Sequence, residues 1–189
     1  MCALNIVKLN LRQDLRKRLA DLPRDKREQW DSAIIAHIQK SVPIPPNKVV
    51  ALFSPLPWEV NIMRLVPSWI TQGHTLCLPV VTGRTEAMQF QRYYPGDQLN
   101  KGLVGSLEPS PQQDTVTPEY VFIPMLGFGE NNVRLGLGSG FYDRSLAAMK
   151  NVKTIGVGYE AQFCPELQPE AHDVLLDCII TENGMRARP

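Results

Sequence analysis

From Val7 to Leu22 the apolar residues Val7, Leu11, Leu15, Leu19 and Leu22 recur at helical spacing, which predicts an amphipathic helix. Its other face is charged, with Lys8, Arg12, Asp14, Arg16, Lys17 and Arg18. A second helical pattern follows Pro23 and puts Trp30, Ala33, Ile34, His37 and Ile38 on one side, before Pro43, Pro45 and Pro46 break the chain. The apolar run Val49 to Phe53 reads as a buried strand, followed by the loop Ser54 to Glu59. A helix is predicted from about Asn61, with Ile62, Leu65, Val66 and Trp69 on its apolar face and Gly73 as its C-terminal stop. Leu76 to Val81 is a second strand, and the alternation from Met88 to Tyr93 suits an edge strand. Residues 95–118 are rich in Pro, Gly and polar groups and read as one long loop. Tyr120 to Pro124 is a third buried strand, Gly127 to Gly140 a glycine-rich loop, and Asp143 to Met149 a helix. Thr154 to Val157 is another strand, and Cys178 to Thr181 is the last.

Strands alternating with helices predict an α/β fold, with a mostly parallel central sheet flanked by helices in a Rossmann-like three-layer arrangement. Ligands of such sheets bind beyond the carboxyl ends of the strands, where loops 54–59 and 125–140 both fall. The length of 189 residues suits a single domain spanning 1–189. A chain of this size buries roughly 70% of its unfolded surface, so it needs no disulfide or structural metal. With 43% hydrophobic and 21% charged residues the composition is that of an ordinary globular protein, which excludes collagen-like and wholly disordered chains. The 16 prolines sit largely in connections and predict stiffened loops.

A net charge of +1 does not mark the whole molecule as a polyanion binder. No apolar run reaches the length of a membrane span, and Met1 to Asn10 holds no continuous apolar signal segment. Cys2, Cys77, Cys164 and Cys178 form no CxxC pair and read as buried free thiols of a reducing cytoplasm. His37, His74 and His172 lack zinc spacing.

The densest chemical signal is RLGLGSGFYDR, Arg134 to Arg144. Glycines at alternate positions let backbone approach a ligand and take φ > 0, so the loop can aim several N–H groups at phosphate oxygens. A tight structural turn needs the same residues. The pattern is neither a P-loop nor a dinucleotide fingerprint. Arg134 offers a bidentate phosphate contact, and Asp143 either a magnesium ligand or a helix cap. Lys8 and Arg12, four apart, share a helix face that is either solvated or a second phosphate clamp. Glu59 is a surface acid, a helix N-terminal charge, or a partner for an N–H-rich heterocycle. The pair His172-Asp173 is weak by itself, although Asp143 and Asp173 together suit a magnesium ion. Trp58, Phe90, Phe128, Phe141 and Tyr142 line an aromatic pocket or fill the core.

At these residues the chain resembles the 5-formyltetrahydrofolate cyclo-ligase family, also called methenyltetrahydrofolate synthetase. The family's glycine loop, approximately R-L-G-x-G-x-G-Y-Y-D, stands here as RLGLGSGFYD, Arg134 to Asp143. KLNLR at 8–12, ALFSPLPWEV at 51–60, HTLCLPVV, YVFIPMLGF at 120–128 and PEAHDVLLDCIITEN extend the similarity over most of the chain. The resemblance implies an ATP- and Mg2+-dependent enzyme acting on 5-formyltetrahydrofolate. The free thiols, the mixed charge, the lack of an apolar span and the lack of a long exposed apolar helix add the expectation of a cytoplasmic monomer without a nucleic-acid or membrane partner. The resemblance also implies ATP binding by Lys8, Leu9, Asn10, Leu11 and Arg12 and by Arg134, Leu135, Gly136, Leu137, Gly138, Ser139, Gly140, Phe141 and Tyr142. Lys8, Arg134 and Tyr142 would be catalytic, and Asp143 and Asp173 would hold magnesium. Folate would lie against Ser54 and Glu59 on one side and Leu137, Gly138, Ser139, Gly140 and Phe141 on the other. Phe141 replaces a common Tyr and keeps only the ring face. Gly129 stands where an Asp is frequent, and Asn132 where a Gly is frequent; Asn tolerates left-handed φ, so the turn survives.

Three rivals keep parts of this pattern. One is an inactive nucleotide- or folate-binding protein of the same fold. Another is a related small-molecule phosphoryl-activating enzyme. The third is an RNA-associated module using the basic segment Lys8 to Arg27, whose interspersed Asp14, Asp21 and Asp25 weaken any electrostatic footprint.

Overall fold

The structure is a computed structural model and describes residues 3–110 and 113–188; Cys2 therefore lies outside the described residues. Helices α1 (Ala3–Ala20) and α2 (Arg24–Ser41) open the chain, followed by β1 (Val49–Ala51). A 3-10 turn at Ile62–Leu65 leads into α3 (Val66–Thr71), then β2 (Thr75–Val80) and β3 (Gln89–Arg92). The short strands β4 (Asn100–Lys101) and β5 (Leu107–Glu108) precede β6 (Tyr120–Pro124). Next come β7 (Gly127–Phe128), β8 (Arg134–Leu135), α4 (Phe141–Ala147), β9 (Lys153–Val157), β10 (Cys178–Thr181) and β11 (Gly184–Ala187).

Seven strands form one sheet in the order β11-β10-β9-β6-β1-β2-β3. The five inner strands run parallel, and β3 and β11 pair antiparallel at the two edges. Alternate side chains feed two cores. Val50, Leu52, Leu76, Leu78, Phe122, Ile155 and Ile180 pack with α1, α2 and α3. Ala51, Cys77, Val121, Ile123 and Ile179 face the other way and pack with Leu146 of α4. Coverage on both faces is why these strands read as unbroken apolar runs rather than as alternating ones. The arrangement is the expected three-layer α/β fold with a mostly parallel sheet.

Gly73 ends α3 as expected. At φ 78° it donates its N–H to Ile70 O, and the His74 N–H reaches Trp69 O, the paired bonds of a Schellman motif. Four expectations need correction. Residues 95–118 are not one loop, because β4 and β5 form a small antiparallel hairpin there. The 127–140 segment is not all loop either: β7 and β8 pair around a turn in which Asn131 and Asn132 take φ 57° and 58°. The strand Cys178–Thr181 is not the last, since β11 returns beside it. On α1 the buried stripe is Lys8, Leu11, Leu15 and Leu19, and Val7 is exposed. Both Val7 and Lys8 extend the stripe at allowed helical spacing, and the site described below claims Lys8. Two-residue strands carry no periodicity, and β11 is only half-buried, so neither left a clear pattern.

Candidate active site

The chain leaves β1 toward β2 on one side, whereas β6 on the other side leads on to β9. Strand order thus reverses between β1 and β6, the place where open α/β sheets hold ligands. A cleft of about 420 Å³ opens there, floored by Phe53, Pro79, Pro124 and Met125 at the carboxyl ends of β1, β2 and β6. Its volume lies within the range of small-molecule sites.

Loop 54–59 supplies Ser54 and Glu59. The loop folds back on itself: the Leu56 N–H donates to Glu59 Oε2 at 2.9 Å, and the Glu59 N–H to Leu56 O at 2.9 Å. Burial pushes the Glu59 carboxyl up to about 7 despite that bond. Opposite lies the glycine loop, with Leu135 to Tyr142 on the cleft wall. Gly138 at φ 107° and Gly140 at φ 65° hold backbone that a side chain would strain, and the Arg12 guanidinium lies against Gly138. Arg12 also donates from Nε to Gly136 O at 3.0 Å, so α1 pins the loop. Burial, with Arg16 adding, lowers the Arg12 pKa.

Arg134 points into the cleft from β8 with its side chain 3% exposed. Its Nη2 donates to Asp143 Oδ1 at 2.7 Å. Its Nη1 is buried and meets no acceptor among the described residues. A buried guanidinium nitrogen left without an acceptor carries a desolvation cost that an anion in the cleft removes. Asp143 does not cap α4: its Oδ1 also accepts the Val174 N–H at 3.3 Å, tying α4 to the segment before β10. The Tyr142 ring lies under the Arg134 guanidinium, 5.6 Å from its centre. Burial raises the Tyr142 phenol pKa, the nearby Glu59 adds to the rise, and Arg134 opposes it.

Lys8 donates to Glu170 Oε2 at 2.6 Å and to Asp173 Oδ2 at 2.8 Å. Burial works against the ammonium, but the two carboxylates outweigh it and hold the Lys8 pKa above its ordinary value. Burial likewise works against the Asp173 charge; the bonds from Lys8 and the Glu170 N–H prevail and hold its pKa below the ordinary range. Glu170, His172 and Asp173 can direct one ligand atom each to a common point. Two carboxylates suit a hard divalent cation, so this corner fits magnesium in donor chemistry, with Lys8 already neutralising part of its charge. Asp143 also lines the cleft but lies outside that three-residue group.

The fold therefore gathers Lys8, Arg12, Ser54, Glu59, Arg134 to Asp143 and Asp173 around one cleft. Three residues of the 8–12 segment do not reach it: Leu9 and Asn10 face outward, and Leu11 packs in the core. Of the aromatic candidates, Phe141 and Tyr142 line the cleft, Phe90 and Phe128 are core, and Trp58 packs against the opposite core. Glu170 and Glu108 line the cleft without having been singled out. Glu170 had a signal in its position three before Asp173; Glu108 sat in the segment read as loop. Cys77 and Cys164 are buried free thiols and Cys178 is half-buried. Among the described residues no helix is long and apolar enough to cross a membrane. Within the basic segment, Lys8 and Arg12 turn into the cleft, while Arg18 and Arg27 bond backbone oxygens of the chain itself.

A cleft at the switch point of a parallel sheet, walled by a glycine loop and by buried cations, marks an α/β protein of the kind whose switch point offers a small-ligand site. Residues 5–182 match the model of the 5-formyltetrahydrofolate cyclo-ligase family. The chain is 29% identical to the 5-formyltetrahydrofolate cyclo-ligase of Haemophilus influenzae, over 90% of this chain and 95% of that one. It is 44% identical to the enzyme of the same name from Mycoplasma genitalium over 72% of this chain and 73% of that one. The solved 5,10-methenyltetrahydrofolate synthetase of Aquifex aeolicus superposes with a TM-score of 0.79 at 29% identity, covering 96% of this chain and 92% of that one. That of Mycoplasma pneumoniae gives 0.75 at 26% identity, covering 93% and 98%. The chain belongs to the 5-formyltetrahydrofolate cyclo-ligase family and is an enzyme.

Proposed function

We propose that this enzyme converts 5-formyltetrahydrofolate and ATP to 5,10-methenyltetrahydrofolate, ADP and phosphate as a single-domain, cytoplasmic monomer. The observation that carries the reading is the shared cleft: an acid, Glu59, and the glycine loop line one cleft, and Arg134 Nη1, buried and without an acceptor among the described residues, lies beside them. The names of the relatives supply the folate chemistry.

The formyl oxygen on N5 is a poor leaving group. Transfer of the γ-phosphoryl to that oxygen breaks the bond to ADP and makes an imidate-like phosphate. N10 then attacks the formyl carbon and gives up its proton, and phosphate departs with the formyl oxygen as the methenyl bridge closes. Phosphoryl transfer asks mainly for positioning and charge neutralisation. Lys8, Arg134, Tyr142 and the N–H groups of the glycine loop are the groups we assign to it. Asp173 and Asp143, with Glu170 beside them, are the residues we assign to magnesium, which when bound neutralises phosphate oxygens. Glu59 and Ser54 hold the folate ring from the other wall.

The test is a mixture of purified protein, 5-formyltetrahydrofolate, ATP and magnesium followed by near-ultraviolet absorbance of the methenyl product. ATP-dependent product that disappears in Asp143→Ala is the expected result. No product from folded protein that binds ATP overturns the assignment in favour of a binding protein or another substrate.

A further inference from the structure

Glu59 stands on a thin partition. Behind loop 54–59, on the side away from the active-site cleft, lies a second cleft of about 440 Å³, and Leu56 and Glu59 line both. On that side the loop faces open space, and its apolar hold is limited to Trp58 and the buried Val60, which pack on the core to either side of Glu59. Its polar hold comes from one face of α2. Arg27 donates from Nη1 to Pro57 O at 2.6 Å, two residues before Glu59. Asp31, one helical turn on, accepts the Asn61 N–H on Oδ2 at 3.3 Å, two residues after Glu59. Asp31 is itself fixed, since its Oδ1 accepts the Tyr159 hydroxyl at 2.8 Å. Tyr159 is fully buried and packs against Trp30, with ring centres 5.7 Å apart.

We propose that Arg27 and Asp31 are positioning residues that grip loop 54–59 at both ends and hold Glu59 at the folate wall of the active site. Neither side chain lines the active-site cleft, so neither touches substrate. Two anchors four residues apart on a helix match two loop positions four residues apart, with the functional acid midway. The spacing is what a rigid helix supplies and a Pro-rich loop alone does not. Tyr159 is the brace behind the grip. Its position after β9 ties the loop at the end of β1 to the far half of the sheet.

The proposal rests on Glu59 facing the folate, and the experiment separates the two ideas. Steady-state kinetics on the full-length enzyme would compare Arg27→Ala, Asp31→Ala and Tyr159→Phe with Glu59→Gln and with each double variant carrying Glu59→Gln. Ile38→Val, a core change on the same helix, reports plain destabilisation. The expected result is a rise of about fivefold to twentyfold in KM for 5-formyltetrahydrofolate for Arg27→Ala and Asp31→Ala, with KM for ATP within about twofold of wild type. On the Glu59→Gln background the same changes should add less than about twofold, because residues acting through one group are not additive. Amide exchange of the 54–61 segment should quicken in Asp31→Ala and not in Ile38→Val. Tyr159→Phe, which removes only an oxygen, gives a smaller shift of the same kind and covers the case in which Asp31→Ala does not fold. If Glu59→Gln leaves folate kinetics unchanged, the role of Glu59 falls and this proposal with it. If Glu59→Gln impairs folate use while both anchor variants match wild type, or if the anchors raise both KM values alike, the positioning role alone is overturned.

Discussion

At the residue scale, Glu59 behaves unlike a surface acid. Its carboxyl is pushed up to about 7 by burial, so the folded protein holds a proton between about 4.5 and 7 that the unfolded chain has released. This contribution to stability is therefore present at low pH and declines as pH rises through that interval, the reverse of a salt-bridged carboxylate. Glu59→Gln should be more stable than wild type at pH 8, by about 1–3 kcal/mol, with the advantage gone below pH 4.5. Urea unfolding at several pH values reads the difference, and equal stability at pH 8 refutes the burial account. Gly138 gives a second residue-level expectation. Its φ of 107° excludes a relaxed side chain, so Gly138→Ala should cost about 1–3 kcal/mol and weaken ATP use more than folate binding. Calorimetry and the two KM values check it. Some residue-scale features were legible and others were not. Arg134 and the glycines stood in one uninterrupted motif. Asp31 was hidden inside an amphipathic helix, although it shares the stripe of Ile34 and Ile38 and is buried with them. A polar residue on an apolar stripe was its signal.

At the scale of elements, α1 serves twice. Leu11, Leu15 and Leu19 bury one stripe against the sheet, and Lys8 continues that stripe into a buried ion triad with Glu170 and Asp173. Removing the cation leaves two carboxylates facing each other in a desolvated corner. Lys8→Met should destabilise by roughly 3 kcal/mol near neutral pH. Asp173 has a depressed pKa, so its share is present above its unfolded value of 3.8 and is lost as pH falls through the lower folded value. Lys8 has a raised pKa, so its share is complete below 10.5 and is lost as pH rises through the higher folded value. The gap between wild type and Lys8→Met should therefore close at both extremes and stay open between them, as denaturant midpoints across pH would show. A gap that ignores acid would deny the pairing. Inner strands were readable because both faces of the sheet are covered, which leaves apolar runs. The β4–β5 and β7–β8 hairpins were not, because two residues make no period and their formation is decided by partners distant in sequence.

At the scale of the whole molecule, the cleft collects groups from α1, from the ends of β1 and β6, and from the segment before β10. A ligand touching all of them stabilises the fold as a unit. ATP at about one hundred times its dissociation constant should add about 2.7 kcal/mol of stability. Thermal melts should shift upward with ATP and magnesium in wild type and stay flat in Arg134→Ala. Sedimentation should give a species near 21.2 kDa in both states if the enzyme is a monomer. The sheet order could not be read from sequence: element types followed from local pattern, whereas the reversal between β1 and β6 depends on pairing across the chain.

The Lys8 triad has a consequence for how the protein is made. Its ammonium sits 162 and 165 residues away from its two partners, so during synthesis the first helix leaves the ribosome long before Glu170 and Asp173 exist. Until they emerge, the position Lys8 will fill is one in which a charge is costly, and α1 has no complete place to dock. A nascent chain stalled before residue 170 should therefore expose α1 to protease, and release of the last residues should protect it. The active site is in that sense the final knot of folding, tied when both ends of the chain meet.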